Sequence, residues 1–302
     1  MRHCCKLPAA SAVRCWLLQS RARVVFGAAF LALVASMTTE ADDQQHSVVA
    51  RVDAKSAGLT PGEVAVRVGN ITVPATAVRA TPEIPRNVAI VVDAGPDQST
   101  VLSKEKELAV ALINELSDSV TSFTIASAGA LPKVQAPTPE RSIAIGHIRD
   151  ITADTGRKTN IPIYDAIGLT IQKVSATPGL RIVIFIGEGN DGASKLRYAE
   201  LHNLAESNQI TFLAALVADH SLRGTKIILR YGWNLQELTS DTAGIFLENQ
   251  KTPKAARRLT ENIRSLRLIA LEMPSRQPGR HKISVSTRQG KRLRAQKNVV
   301  VP

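Results

Sequence analysis

The chain has 302 residues, of which 44% are apolar, and a formal net charge of +12. This length and apolar content are enough for the core of one medium-sized domain and a smaller unit. Aromatic residues make up only 4% of the chain, so the core must consist of Val, Ile, Leu and Ala. This composition suits an α/β sheet better than a surface that stacks nucleic-acid bases or sugar rings.

The amino-terminal residues indicate an export signal. Residues 1–23 carry five basic side chains and no acid, and residues 24–37 are an apolar run that is too short for a permanent membrane span. We expect a secretory signal peptide over residues 1–41, with an uncleaved signal anchor as the alternative. The predicted location is therefore periplasmic or secreted, with no permanent span after cleavage.

All three cysteines, Cys4, Cys5 and Cys15, lie in this predicted signal peptide. The exported chain would then have neither a disulfide nor a reactive thiol. An exported chain without disulfides favours a bacterial export route over a small disulfide-stapled scaffold.

Residues 42–85 contain three β-rich stretches. Residues 47–52 (SVVARV), 63–68 (EVAVRV) and 71–79 (ITVPATAVR) are rich in β-branched residues, and Gly69-Asn70 is a hairpin-turn signal. We expect a small amino-terminal β segment followed by a linker.

The central feature of the sequence is a buried strand that ends on a carboxylate. Residues 87–92 (NVAIVV) form an apolar run typical of a strand covered on both faces, and Asp93 follows at once. Gly95 and Pro96 then break the strand, and residues 104–116 have the apolar spacing of a helix. In parallel α/β sheets, ligands bind at this end of the strands.

Strands and helices alternate from there to residue 268. Further strands are predicted at residues 120–127, 181–186 and 209–217, and helices at 141–152, 160–174, 194–207, 234–242 and 253–265. This alternation predicts an α/β fold with a doubly wound, mostly parallel, Rossmann-like sheet and helices on both faces. Strands predicted at 266–272, 281–286 and 296–301 place a basic carboxyl-terminal β segment at residues 269–302.

Three stretches resemble the von Willebrand factor A (VWA) domain family. The strand ending in Asp93, with its loop and helix, is similar to the family's opening, and Ile163-Tyr164-Asp165-Ala166-Ile167 resembles its Leu-Tyr-Asp-Ala-Ile helix. Residues 243–247 resemble its Thr-Gly-Gly-x-x-Phe pattern. The resemblance implies a VWA-like domain over residues 86–268, and the flanking segments resemble a bacterial subgroup described as VWFA-related.

The family's metal-ion-dependent adhesion site is degenerate in this chain. The resemblance implies five oxygen ligands, and the corresponding positions are Asp93, Gly95, Asp97, Ile161 and Gly187. We therefore expect no full metal site and no cofactor. Two alternatives stay open: Mg²⁺ or Mn²⁺ held by Asp93, Asp97 and Ser99, or Asp93 and Asp97 serving as helix caps.

The resemblance implies a non-enzymatic binding or adhesion module that recognises a protein or envelope partner through the loops at the carboxyl ends of the strands. The candidate partner-binding residues are Asp93, Asp97, Ser99, Asn160, Glu188 and Asp191.

Two further functions are alternatives. One is a metal-assisted hydrolase at Asp93, Asp97 and Glu188, although the sequence offers it no nucleophile–base pair. The other is a protein that binds a polyanion of the cell envelope. We expect no specific nucleic acid as a partner. The candidate polyanion-binding residues are Arg280, Lys282, Lys291, Arg292 and Arg294. The simpler interpretation of these residues is a solvated strand face.

Overall fold

A computed structural model describes residues 47–54, 59–96, 101–155, 161–217, 226–273 and 278–301. The predicted signal peptide lies outside these ranges. The described helices are α1 (Leu102–Leu116), α2 (Arg141–Arg149), α3 (Ile163–Ser175), α4 (Tyr198–Ser207), α5 (Lys226–Asp241) and α6 (Thr252–Ser265). None of them is both long and apolar enough to cross a membrane.

The described strands are β1 (Ser47–Asp53), β2 (Val64–Val68), β3 (Ile71–Val73), β4 (Ala75–Ala80), β5 (Arg86–Asp93), β6 (Thr121–Ala128), β7 (Lys133–Val134), β8 (Leu180–Gly187), β9 (Ile210–Leu216), β10 (Phe246–Glu248), β11 (Leu266–Glu272), β12 (Gly279–Thr287), β13 (Arg294–Ala295) and β14 (Asn298–Val301).

The central sheet has six strands in the order β10-β9-β8-β5-β6-β7. All neighbours run parallel except β7, which pairs with β6 in the antiparallel direction. Strand β5 lies in the middle, and all eight of its residues are buried, as expected for a strand covered on both faces. The predicted fold class is therefore confirmed, and this sheet is the one that the VWA resemblance implies.

The two faces of the sheet carry separate apolar layers. Val88, Ile90 and Val92 of β5 pack in a core with α1, α2 and α6. Ala89 and Val91 face the opposite core, which contains α3, α4 and α5. This alternation follows from the two-residue period of a strand, so successive side chains of β5 enter opposite cores.

The predicted amino- and carboxyl-terminal β segments combine into one β-sandwich. One of its sheets has the order β13-β1-β11-β4 and the other β14-β12-β2-β3. Strands β1 and β11 are antiparallel along their full length, with Val52 opposite Arg267. A separate apolar core lies between the two sheets and includes Val52, Val66 and Val285.

A polar network joins the sandwich to helices α4 and α5. Glu206 on α4 accepts a hydrogen bond from Asn298 (2.7 Å) and forms an ion pair with Arg280 (2.7 Å). Asp241 at the end of α5 contacts both His202 Nε2 and Lys297 Nζ at 3.0 Å. These contacts join strands β12 and β14, and the segment between β13 and β14, to the α/β part of the chain.

Candidate functional site

The candidate site lies where the strand order of the central sheet reverses. The chain passes from β5 to β6 on one side and returns to β8 on the other side of β5. The loops after β5 and β8 therefore leave in opposite directions, and ligands of open α/β sheets bind in the crevice between such loops. We call this edge, at the carboxyl ends of the parallel strands, the carboxyl edge.

Asp93 ends β5 at the carboxyl edge and is completely buried. Its Oδ1 accepts a hydrogen bond from the Gly95 amide at 3.1 Å, whereas Oδ2 has no hydrogen-bond partner. Burial raises the pKa of Asp93 to about 7, even though the amides of Gly95, Glu188 and Gly189 favour its charged form. Asp93 is therefore partly protonated near neutral pH.

Glu105, on the first turn of α1, is a third buried acid beside Asp93 and Glu188. It has no exposed surface, and neither of its carboxyl oxygens has a hydrogen-bond partner. Burial, together with the charges of Asp93 and Glu188, raises the pKa of Glu105 well above its usual value. We call Asp93, Glu105 and Glu188 the acid cluster.

Sequence reasoning missed Glu105, although the sequence does contain a signal. Position 105 lies four residues before Ala109 and seven before Leu112, so it falls on the apolar face of the helix. An acid at a core-facing position is the pattern that marks such a residue.

Asp191 ties the loop after β8 to the start of α3. Its Oδ1 accepts hydrogen bonds from the Tyr164 amide (3.2 Å) and from the Ser194 hydroxyl. The main chain of Ile161 pairs with that of Asp191 in a parallel bridge. Asp191 thus satisfies an amide at the amino terminus of a helix, where a negative charge is favoured. Burial is the main cause that raises the pKa of Asp191, and these hydrogen bonds oppose it.

Asp165 makes a second connection between the same two segments. Its carboxylate accepts hydrogen bonds from the amides of Lys195 (3.1 Å) and Leu196 (2.8 Å). The segment from residue 187 to residue 196 is therefore held against α3 at two points.

The described residues at the carboxyl edge do not fit the metal site of the VWA family. The Ile161 side chain fills the space above Gly95, where an added Cβ would lie 3.1 Å from Ile161 Cδ1. A Cβ on Gly187 would lie 2.2 Å from Asp93 Cβ, so this position has no room for a ligand side chain. The Gly95 amide donates to Asp93 Oδ1, and an amide hydrogen at that oxygen repels a cation. Within the described ranges, no three His, Cys, Asp or Glu side chains are arranged to hold an ion.

Three of the six candidate partner-binding residues can be placed. Asp93, Glu188 and Asp191 all lie at the carboxyl edge, and their exposed fractions are 0%, 5% and 8%. Asp97, Ser99 and Asn160 lie outside the described residues. The three that can be placed are thus close together but buried, so in this conformation they support the loops and offer little surface to a partner.

The basic carboxyl-terminal residues are divided between different surroundings. Arg280 is bound to Glu206, and Arg280 Nη1 also donates to Asn203 at 3.3 Å. Lys282 is exposed on β12. Lys291, Arg292 and Arg294 instead line a cavity against α6. Arg292 also lines a second cavity together with Lys282 and Arg67. Four of the five candidate residues therefore line two cavities that share Arg292, whereas Arg280 is paired with Glu206.

No family model matches the chain, and no curated protein matches it. Solved structures with a similar architecture include the conserved hypothetical protein BatB from Bacteroides thetaiotaomicron, at 19% identity and a TM-score of 0.49, covering 59% of this chain and 96% of that protein. An aerotolerance-related membrane protein from Bacteroides fragilis has 14% identity and a TM-score of 0.47, covering 59% and 98% of the two chains.

A third solved structure is a von Willebrand factor type A protein from Catenulispora acidiphila. It has 11% identity and a TM-score of 0.48, and the match covers 86% of this chain and 74% of that one. This protein carries the name of the family that the sequence resembles.

Proposed function

We propose that this chain is an exported, non-enzymatic module that binds a protein or cell-envelope partner at its carboxyl edge. The observation that supports this function is the joining of two loop segments at the point where the strand order reverses. Asp191 and Asp165 hold residues 187–196 against the start of α3. A surface fixed in this way needs little ordering when a partner binds, which favours affinity.

Exposed residues of the same segment would make the contacts with the partner. Gly192, Ala193 and Lys195 are exposed, whereas Glu188 and Asp191 beneath them are buried. The buried acids then position the loop, and Lys195 and Ala193 form part of the docking surface. The predicted signal peptide supports an exported location, and one of the structural neighbours is described as a membrane protein.

We propose that recognition does not require a full metal site. In the VWA family, an acidic residue of the ligand completes the coordination of a bound metal ion. Here Ile161 and Gly187 stand at two ligand positions, and the described residues offer no replacement. Loop shape and hydrogen bonds would therefore carry the recognition.

A hydrolase is the second candidate, and the place of Asp93 at the end of the central strand favours it. A carboxyl with a pKa of about 7 at the switch point is suited to act as a general base. Asp93 is nevertheless completely buried, so a substrate has no access to it in this conformation. Hydrolysis of generic esters or phosphoesters that is lost in Asp93→Asn would overturn the non-enzymatic proposal.

The binding function is tested by capture of partners from a cell-envelope extract, with and without a chelator. We expect the exported chain to retain a defined partner in both conditions. The double variant Ala193→Arg/Lys195→Glu should lose it. Lys173→Glu, which changes an exposed lysine near the other end of α3, is the control and should retain it. Equal loss in both variants, or capture that requires a metal ion, would contradict the proposal.

A further inference from the structure

A cavity of about 940 Å³ lies between α6 and the segment that leads into β13. Six of its lining residues are basic: Arg258, Arg264, Arg267, Lys291, Arg292 and Arg294. We call this cavity the basic groove. The cations come from α6, from the start of β11 and from residues 291–294, so elements distant in sequence bring them together.

The basic groove has an excess of positive charge, because six cations and only two carboxylates line it. Among the described residues, none of the six cations forms an ion pair with a carboxylate. The carboxylates in its lining are Asp53 and Glu261. Glu261 is already paired with Arg257 at 2.8 Å, and Asp53 accepts hydrogen bonds from Asn262 (3.0 Å) and Ser265 (2.6 Å).

Two of the arginines are held in place by main-chain oxygens. Arg264 donates to the Glu115 carbonyl at 2.7 Å, and Arg267 donates to the carbonyls of Arg264 (3.0 Å) and Leu266 (2.9 Å). Carbonyl acceptors orient a guanidinium group without neutralising it. These side chains are therefore fixed while their charge remains available to an anion.

Arg294 shows the electrostatic cost of this arrangement. Partial burial lowers the pKa of Arg294, and the charge of Asp53 opposes that effect only in part. An arginine that is partly removed from water, without a paired carboxylate, gains stability when an anion binds beside it.

We propose that the basic groove binds an acidic polysaccharide whose carboxylate or sulfate groups pair with its arginines. Five of the six cations are arginines, whose planar fork matches the geometry of these anions. No aromatic side chain lines the groove itself. The exposed Trp233 lies in an adjoining pocket that shares Arg258 and Arg294, but one ring does not provide the series of stacking platforms with which proteins bind single-stranded nucleic acid. The strand at its wall, β13, has two residues, too few to pair with an extended peptide.

This site is separate from the carboxyl edge. Ile245, which lines the groove, directly precedes β10, and Ser265, which also lines it, ends α6. Since β10 runs parallel to its neighbour, the groove lies at the amino ends of the strands. The proposal therefore does not depend on the binding function proposed above.

The test measures the affinity of the exported chain for fluorescently labelled heparin and polygalacturonate. The variant Arg258→Gln/Arg292→Gln removes two exposed cations from the groove. The control Arg79→Gln/Lys254→Gln removes two exposed cations that do not line it. We expect the groove variant to bind each polysaccharide about tenfold more weakly and to show a shallower salt dependence, with about twofold or less for the control. Melting temperatures of both variants verify that they are folded.

Each other outcome would overturn a stated part of the proposal. An equal loss in the two variants would show that net charge, not the groove, attracts the polymer. Binding of oligo-dT or polyglutamate as tight as that of heparin would refute the polysaccharide class. Absence of binding by the folded wild-type chain at low salt would refute the site.

Discussion

At the scale of single residues, the carboxyl edge is defined by carboxyl groups that the fold has removed from water. Asp93 and Glu105 are both fully buried and keep unpaired oxygens. Burial of a carboxyl oxygen without a hydrogen-bond partner favours the protonated form of the acid, because the charged form loses its hydration. The acid cluster therefore makes stability depend on pH.

We expect Glu105→Gln to flatten the dependence of stability on pH. Because the pKa of Glu105 is raised in the folded state, the folded chain binds more protons than the unfolded chain above about pH 4.5, and the free energy of unfolding falls as pH rises. This loss amounts to at most about 1.4 kcal/mol for each pH unit until the folded pKa is passed. Urea unfolding from pH 4 to pH 9 measures it.

The matched control is Glu107→Gln, an exposed position on the same helix. The free energy of unfolding of Glu107→Gln should change with pH in the same way as that of the wild type. If Glu105→Gln keeps the wild-type slope as well, the Glu105 carboxyl is not protonated in the folded state and the description of the acid cluster is wrong.

Gly187 provides a second prediction at this scale. An added Cβ would lie 2.2 Å from Asp93 Cβ and 2.9 Å from Phe185 Cζ, so Gly187→Ala forces β5 and β8 apart. We expect it to lower the free energy of unfolding by about 3 kcal/mol or more. Gly146→Ala, in α2, meets nothing within 4 Å and should gain about 0.5–1 kcal/mol. Similar stabilities for the two variants would contradict the close approach of Gly187 to Asp93.

At the scale of elements, the contacts that close the carboxyl edge also explain where sequence-based prediction failed. The apolar runs of β5, β8 and β9 predicted these strands because burial on both faces leaves an unambiguous pattern. Helix α4 was expected from residue 194 but begins at Tyr198. Residues 194–196 instead make hydrogen bonds to Asp191 and Asp165. The two bonds to Asp165 join residues about 30 positions apart, and no local pattern reveals them.

Other parts of the site depended on equally non-local information. The positions of Asp93 and Glu188 at one edge follow from parallel strands, which sequence order alone implies. Their burial does not follow from sequence order, because it depends on the packing of α3, which places Ile161 over Gly95.

The start of helix α5 was also predicted wrongly. The helix begins at Lys226, eight residues before its predicted start.

The polar network between the sandwich and α4 provides a prediction at the element scale. Glu206 is 7% exposed, binds Arg280 and Asn298, and lies close enough to Arg51 for its charge to favour the buried guanidinium. Glu206→Gln removes that charge while keeping the shape of the side chain. We expect a loss of about 2 kcal/mol, below the usual cost for a fully buried pair because Arg280 is half exposed.

Urea unfolding measures this loss, and Glu261→Gln is the control. Its ion pair with Arg257 is exposed on both sides, so about 0.5 kcal/mol or less is expected. Losses of equal size would mean that Glu206 contributes no more than an ordinary surface charge and that the network does not join the two parts of the chain.

At the scale of the whole molecule, strands that are far apart in the sequence pair with each other. The residues of β1 pair with those of β11 more than 200 positions away, so the predicted amino- and carboxyl-terminal segments are two halves of one sandwich. Sequence patterns identified the strands of both segments. They could not show that the segments pair, because strand pairing between distant stretches leaves no local signal. The two candidate binding regions then lie at opposite edges of the central sheet.

The response of the whole chain to divalent cations distinguishes a metal-dependent module from a metal-free one. A ligand that binds only the folded state stabilises it by about 2.7 kcal/mol at a hundred times its dissociation constant, which corresponds to a shift of roughly 5–10 °C in the melting temperature of a chain of this size. Because Ile161 and Gly187 stand where ligands would be needed, we expect Mg²⁺ or Mn²⁺ at millimolar concentration to shift the melting temperature no more than Ca²⁺ or a chelator does. Asp93→Asn should leave this response unchanged. A shift of several degrees that Asp93→Asn abolishes would show that Asp93 binds an ion together with residues outside the described ranges, and recognition at the carboxyl edge would then depend on metal.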